Sequence, residues 1–166
     1  MYIDDIKANP LGAGVVEIDE SHFFKAKYNV GQKMILPQLW VFGAYDTASK
    51  RIVVEPVEKR DAETLIPIIQ ETVRPGTEIH SDLWGAYARL DQFGYRHFSV
   101  NHAEHFVDPV TGACTNAIEG HWGVCKTWMR RHSMRSRTRF TDTLREWAFR
   151  QNIGRTFHAC WKAITE

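Results

Sequence analysis

Three acidic side chains stand in sequence contexts that suit a phosphoryl-transfer site. Asp19 lies in VVEIDE, Asp82 in EIHSDLWGAY and Glu119 in TNAIEGHWG. Each falls where a strand should end or a helix should begin, so the fold can gather them from distant parts of the chain. Two divalent ions held by such carboxylates activate the attacking oxygen and stabilise the leaving oxygen of an in-line displacement. Because carboxylate oxygens favour hard cations, the expected metal is magnesium or manganese rather than zinc.

Each of these acids also has an ordinary structural interpretation. With Asn116 as the N-cap, Glu119 would occupy the third helical position and close a capping box. Asp82 would serve as a strand-end or N-cap aspartate. Asp19 is harder to explain in this way, because aspartate is depleted in strands and ionised acids are seldom buried alone. We interpret Asp46 as a turn residue. The alternative is that Asp46 is an additional carboxylate of the metal site.

The elements that must position these acids follow from the hydrophobic pattern. Strands are predicted at residues 15–20, 39–45, 51–57, 77–81 and 95–100. Helices are predicted after Asp61, at 84–93 with Gly94 as the C-cap, at 116–132, and from Thr141 to about residue 152. The first three strands would form an antiparallel meander, with further strands alongside. The predicted fold class is therefore α/β, with a mixed sheet flanked by helices.

The helix predicted at 116–132 carries two adjacent stripes. One stripe is apolar and is predicted to face the core. It consists of Ile118, Trp122, Cys125 and Met129. The neighbouring stripe consists of Glu119, Gly123, Lys126 and Arg130. Two cations therefore run away from the acid on one face. A substrate whose reacting phosphate meets Glu119 would have its backbone follow these cations.

Charge is distributed unevenly, although the formal net charge is only +1. Residues 126–139 contain seven Lys, Arg or His side chains and no acid. This run favours a polyanion as partner, with a solvated basic loop as the equal alternative. Three further cations, Lys25, Lys27 and Lys33, lie in the link after the first predicted strand.

Composition and motifs argue against several classes of protein. No apolar run approaches the roughly 18 residues of a membrane helix, and the N-terminus lacks the pattern of a signal peptide. Three cysteines without a CxxC pair are typical of reduced thiols in a cytosolic or nuclear protein. The motifs of P-loops, dinucleotide folds and serine hydrolases do not occur. No closed zinc pattern is matched by the nearby His102, His105, Cys114, His121 and Cys125.

The chain resembles the DDE transposases of the Merlin group and the related bacterial insertion-sequence transposases. The matching runs are VVEIDESHF, KAKYNVGQ, LWVFGAYD, PVEKRDAETLIPII, VRPGTEIHSDLWGAYARL, VNHAEHFVDPVTGACTNAIEGHWGVCK and LREWAFRQN. The resemblance implies an RNase H-like fold, a catalytic triad of Asp19, Asp82 and Glu119, and magnesium-dependent cutting and joining of DNA. Some relatives carry Asn at the third catalytic place. Bacterial relatives usually carry a DNA-binding module before this domain, whereas residues 1–166 are predicted to form a single catalytic domain without one.

The predicted function is transposase-type DNA cleavage and strand transfer by two-metal phosphoryl transfer. The alternatives are an RNase H-like nuclease without strand transfer, and a catalytically silent DNA-binding or interaction module derived from a transposase. Phosphate contacts are expected from Lys25, Lys27, Lys126, Arg130, Arg131 and Arg135. DNA is the expected partner, with a homo-oligomer on transposon ends and no membrane contact. The expected location is the nucleus in a eukaryote and the cytoplasm otherwise.

Overall fold

The strands of this chain form one mixed sheet, in the order β3-β2-β1-β4-β5, within the part that the computed structural model describes: residues 6–23, 39–101, 107–132 and 137–153. The strands are β1 (Val16–His22), β2 (Trp40–Asp46), β3 (Ile52–Val57), β4 (Glu78–Asp82) and β5 (Arg96–Val100). The first three pair antiparallel, whereas β4 joins β1 in parallel and β5 joins β4 in parallel. The predicted meander and mixed sheet are confirmed, and β1 is the central strand.

Asp46 holds the turn between β2 and β3. Its buried carboxylate accepts hydrogen bonds of 2.8–3.1 Å from four backbone N–H groups, those of Gly12, Ala13, Ala48 and Ser49. Burial raises the pKa of this carboxyl, but the four hydrogen bonds outweigh burial and the net pKa is lowered. The interpretation of Asp46 as a turn residue is confirmed, and the same carboxylate ties the segment before β1 to the hairpin.

Helix α1 (Ala62–Thr72) covers one face of the sheet. Asp61 is its N-cap, as predicted, and accepts a hydrogen bond from the backbone N–H of Thr64 at 3.0 Å. Leu65, Ile66 and Ile69 are buried together with alternate residues of the central strands. This face of the sheet therefore has a core of its own.

The segment between β4 and β5 differs from the prediction. A single helix at 84–93 is wrong, because the structure has two short 3₁₀ turns, Gly85–Tyr87 and Leu90–Phe93. The buried side chains of Tyr87 and Leu90 are three residues apart, which is the period of a 3₁₀ helix. Gly94 ends the segment with a φ of 84°, in the left-handed conformation expected of a C-cap glycine.

Helices α2 (Asn116–Arg131) and α3 (Arg137–Ile153) cover the opposite face. The buried residues of α2 are Ile118, Trp122, Cys125 and Met129, which confirms the predicted stripe. Thr141 as the N-cap of α3 is wrong, because the helix already begins at Arg137. The buried side chains of α3 recur at helical spacing from Phe140 onward. Because Phe140 belongs to this buried face, it lies within the helix, and the helix cannot begin at Thr141.

The end of α3 is fastened to the edge strand β3. The side chain of Asn152 accepts a hydrogen bond from the backbone N–H of Ile52 at 2.7 Å and donates one to its carbonyl at 2.9 Å. The amide therefore imitates a neighbouring strand at this point of the sheet edge. In the described part of the chain, no helix combines the length and the apolar character that crossing a membrane requires.

Candidate active site

Asp19 lies on the central strand with its side chain toward α2. Alternate residues of a strand face opposite sides of the sheet, so Val16 and Ile18 enter the core beneath α1 while Asp19 faces the other way. The indole N–H of Trp122 donates a hydrogen bond to Oδ2 of Asp19 at 2.9 Å. Gly43, the β2 partner of Asp19, leaves space for the indole, because a Cβ there would lie 2.5 Å from the ring. The carboxylate of Asp19 is thus held by a residue of α2.

Asp82 ends β4, the strand next to Asp19. The parallel register pairs Glu17 with His80, and two further residues along each strand bring Asp82 level with Asp19. Neighbouring strands lie about 4.8 Å apart, and level residues of a parallel pair point to the same face. Oδ1 of Asp82 accepts a hydrogen bond from the backbone N–H of Trp84 at 3.0 Å. Asp82 ends its strand as predicted, whereas Asp19 is the fourth of the seven residues of β1, so the prediction that Asp19 lies at a strand end is wrong. The two acids each lie two residues beyond the last paired residues of these neighbouring parallel strands.

Glu17 anchors the start of α2 to β1. Its side chain is buried, and Oε2 accepts hydrogen bonds from the backbone N–H groups of Ala117 at 2.8 Å and Ile118 at 3.0 Å. A carboxylate at this position satisfies N–H groups that have no partner within the helix and interacts favourably with the helix dipole. Sequence reasoning missed this role, and the only signal for it is the alternation of acidic and apolar residues in VVEIDE.

Glu119 lies near the start of α2 and is exposed. The N-cap of the helix is Thr115, so Asn116 is the first helical residue and Glu119 the fourth. The capping-box interpretation with Asn116 as N-cap is therefore wrong, because that box needs the acid at the third position. The hydroxyl of Thr115 donates a hydrogen bond to Oε1 of Glu119 at 3.0 Å.

The three acids are coupled electrostatically. The pKa of Asp19 is raised to about 6, and burial is the largest cause. The hydrogen bond from Trp122 lowers this pKa, while the negative charges of Asp82 and Glu119 raise it. The charge of Asp82 contributes more to this rise than that of Glu119, and both contribute less than burial.

A fourth acid, Glu20, belongs to the same charged environment from the other face of β1. Its side chain is only 1 % exposed, and Oε2 accepts a hydrogen bond from Nε of Arg60 at 2.8 Å. Burial raises the pKa of Glu20 to about 7, Arg60 opposes that rise, and the charges of Asp19 and Asp82 add to it. The sequence analysis did not predict the pairing of Glu20 with Arg60.

The donor set suits magnesium or manganese, because it consists of carboxylate oxygens. A divalent cation would also offset the repulsion that raises the pKa of Asp19. In the described residues, however, no three Asp, Glu, His or Cys side chains are placed so that they could hold one ion together. Binding of a metal by all three acids therefore requires a closer approach of their side chains.

The structure describes three of the predicted phosphate-binding cations, all on helix α2. Lys126 is half-buried, with Nζ 5.5 Å from the centre of the Phe23 ring. Burial lowers the pKa of Lys126 and the charge of Asp19 opposes this shift, so the ammonium group lies within range of the acids. Arg130 and Arg131 are exposed in the last turn of α2. The other predicted cations, Lys25, Lys27, Lys33 and Arg135, lie outside the described residues.

Two of the residues considered for zinc have packing roles. The rings of His121 and Tyr45 are 4.3 Å apart between centroids. Cys125 is fully buried in the core, and burial raises the pKa of its thiol to about 12, which disfavours the thiolate that a metal binds. His102 and His105 lie outside the described residues.

Comparison with known proteins identifies the family of this chain. Residues 12–152 match the family model of the ISXO2-like transposase domain. A curated "uncharacterized transposase-like protein" of Haemophilus influenzae is 30% identical over 89 residues, which cover 54% of this chain and 71% of that protein.

Solved structures with a similar fold include retroviral integrase catalytic cores. The catalytic core domain of BIV integrase aligns with a TM-score of 0.55 at 13% identity, covering 87% of this chain and 86% of that one. The magnesium complex of the HTLV-2 integrase catalytic core, in its trimeric form, gives 0.52 at 14% identity, with 81% and 84% covered. A chain from the structure of the simian T-cell lymphotropic virus intasome in complex with the PP2A regulatory subunit B56 gamma gives 0.54 at 17% identity. The alignment covers 81% of this chain and about half, 48%, of that one.

These likenesses confirm the RNase H-like fold and the resemblance to bacterial insertion-sequence transposases. Because the family model spans most of the sequence, the chain belongs to the ISXO2-like transposase domain family.

Proposed function

We propose that this chain is a DDE-type transposase catalytic domain. It cleaves DNA and joins a DNA 3′-hydroxyl to a phosphate of a second DNA, which forms a new phosphodiester bond. Asp19, Asp82 and Glu119 are its catalytic residues and would hold magnesium or manganese. The observation that carries the proposal is the electrostatic coupling of Asp19 to both other acids, which come from two further elements of the fold. Repulsion between like charges held together destabilises the fold, and a bound cation would offset that repulsion. Such clusters of carboxylates are therefore typical of functional sites.

The reaction is a displacement at phosphorus. A water molecule or a DNA 3′-hydroxyl gives up a proton and its oxygen bonds to phosphorus, the bond from phosphorus to the departing 3′-oxygen breaks, and that oxygen takes up a proton and leaves as a hydroxyl. The bound divalent ions would supply electrostatic stabilisation of the attacking and leaving oxygens. In this proposal Asp19 and Asp82 would hold the divalent ions that attract the reacting phosphate, at the end of the β1–β4 pair. Lys126, Arg130 and Arg131 attract the neighbouring phosphates along α2.

Support for a DNA substrate comes from the family and from the charge pattern. A transposase domain acts in DNA rearrangement, and the integrases of similar fold include one solved as an intasome. HTLV-2 integrase cores have been solved in dimeric and trimeric forms, which supports a homo-oligomer on transposon ends for this chain as well. The exposed cations of α2 lie on the same helix as Glu119.

The test uses a fluorescent duplex with a free 3′-hydroxyl and a supercoiled target plasmid, with magnesium, with manganese and with a chelator. The expected result is metal-dependent nicking and transfer of the label to the plasmid, both lost in Asp82→Asn. Asp142→Asn is the matched control, because Asp142 is an exposed acid on α3 and its replacement removes the same charge. Activity in the chelator, or full activity of Asp82→Asn, would contradict the proposal.

Two other functions remain distinguishable in the same assay. Nicking without transfer of the label indicates a nuclease. The second alternative is a DNA-binding module without catalytic activity. Two observations favour it: Glu119 is exposed, and among the described residues no three acids are placed to hold one ion. In that case a manganese titration shows no binding that depends on Asp19 and Asp82.

A further inference from the structure

An exposed tryptophan stands directly beside the candidate active site. Trp84 follows Asp82 by two residues, so their Cα atoms are at most about 7 Å apart. Its side chain is 43 % exposed, although a tryptophan gains much by burial. The backbone N–H of Trp84 donates to the carboxylate of Asp82 at 3.0 Å, and its indole N–H donates to the carbonyl of Arg60 at 2.8 Å. The ring is therefore both exposed and fixed in orientation.

A cation supports this ring from one side. The guanidinium of Arg60 lies 4.5 Å from the centre of the Trp84 ring and 4.3 Å from that of Trp40. Arg60 is itself held by the buried carboxylate of Glu20 at 2.8 Å. The stack of Trp40, Arg60 and Trp84 is therefore built on a buried ion pair with Glu20, on the other face of β1 from Asp19, and its outermost member is Trp84. A cleft of about 750 Å³ opens beside it, and its lining includes the stack together with Glu58, Lys59 and Asp61.

These features suit one ligand, given the proposed function on which this inference rests. A DNA strand with its reacting phosphate at Asp19 and Asp82 has its next nucleotides within reach of Trp84. Bases inside a duplex are already covered by their neighbours, whereas an unpaired base has a free face that stacks on an aromatic ring. We propose that Trp84 binds an unpaired nucleobase adjacent to the reacting phosphate, with Arg60 and Trp40 keeping the ring in place.

The experiment measures binding without catalysis, in a chelator, by fluorescence anisotropy. The probes are a short oligothymidylate and an abasic strand of the same length, which carries the same phosphates but no bases. Trp84→Ala is expected to weaken oligothymidylate binding by about 5- to 150-fold, the range for one base stacked on an aromatic ring. It should leave binding of the abasic strand unchanged. Trp84→Phe should keep most of the affinity, because a phenyl ring still stacks.

The control is Phe93→Ala, which removes an aromatic side chain of similar exposure, 41 %, from the other end of the same segment. It should bind both strands like the original protein. The inference is overturned if Trp84→Ala binds oligothymidylate normally, if it weakens both strands equally, or if Trp84→Phe loses as much as Trp84→Ala. Because no metal is present, a failure of metal-dependent cleavage would count against the proposed function and leave this binding result intact.

Discussion

The indole N–H of Trp122 on α2 donates a hydrogen bond of 2.9 Å to the carboxylate of Asp19 on β1. Trp122 also lies about one helical turn after Glu119. Its contact with Asp19 therefore ties one candidate catalytic acid to the helix that carries another. The contact depends on Gly43, the residue opposite Asp19, because the indole occupies the space of its missing side chain.

Gly43→Ala is expected to destabilise the protein by about 1–3 kcal/mol. Its Cβ would lie 2.5 and 2.6 Å from two ring carbons of Trp122, and neither a strand backbone nor an indole ring can move aside without strain. Displacement of the ring should also break its hydrogen bond to Asp19 and weaken manganese binding. Urea unfolding and a manganese titration measure the two effects. Gly120→Ala is the control: it meets no atom within 4 Å on helix α2 and should stabilise by about 0.5–1 kcal/mol.

The raised pKa of Asp19 predicts a pH-dependent stability. The native pKa of about 6 exceeds the ordinary value of 3.8, so the native state binds this proton more tightly than the unfolded state. The stabilisation is complete below pH 3.8 and is lost as the pH rises through about 6. At neutral pH Asp19→Asn should therefore raise the free energy of unfolding by on the order of 2 kcal/mol, with little gain near pH 4. Urea unfolding at both pH values, without metal, gives the comparison, and an equal difference at both would contradict it.

The same proton should compete with a metal ion. Because the ion binds the deprotonated carboxylate, manganese affinity is expected to fall as the pH drops below about 6, by about tenfold per pH unit for one proton. Calorimetric titrations across this range provide the measurement. An affinity that is constant down to pH 5, about one unit below the pKa, would indicate that Asp19 is not a ligand.

Glu17→Ala is expected to reduce both stability and manganese binding. The change leaves the N–H groups of Ala117 and Ile118 without their buried acceptor, which costs about 1–3 kcal/mol, and it releases the start of the helix that carries Glu119. Glu17→Gln keeps a carbonyl acceptor and should restore part of both.

The control for Glu17 is Asp61→Ala, which removes the N-cap of α1 and should cost about 1 kcal/mol. It should leave manganese affinity unchanged, because α1 packs on the other face of the sheet. Equal losses of manganese affinity in the two variants would mean that the Glu17 effect comes from general instability and not from the position of Glu119.

The exposed cations of α2 are predicted to contact phosphates without reading the DNA sequence. Replacing Arg130 and Arg131 by Ala should lower the slope of log affinity against log salt by up to about 1.8, and adding Arg135→Ala should extend this to about 2.7. Arg74→Ala with Arg96→Ala is the matched control, since both arginines are exposed near the amino ends of the parallel strands. A loss confined to one DNA sequence would show base reading instead.

Local sequence pattern sufficed for much of this molecule. The five strands, the Asp61 cap and the apolar stripe of α2 are confirmed because each depends on residues close in sequence. The runs around Asp19, Asp82 and Glu119 likewise identified the transposase resemblance. Where the local pattern was ambiguous, the prediction failed: residues 84–93 form 3₁₀ turns, and α3 begins earlier than its apparent N-cap, because burial of Tyr87, Leu90 and Phe140 decided the outcome.

Only the tertiary structure decided how the acids are held. The contact of Glu17 with Ala117 and that of Asp19 with Trp122 each join residues about a hundred positions apart. No local propensity encodes such pairs, since they arise only when sheet register and helix packing bring β1 against α2. The sequence by itself determined which side chains are available for chemistry. Packing determined their neighbours, and through burial and mutual repulsion it determined the pKa of Asp19 as well.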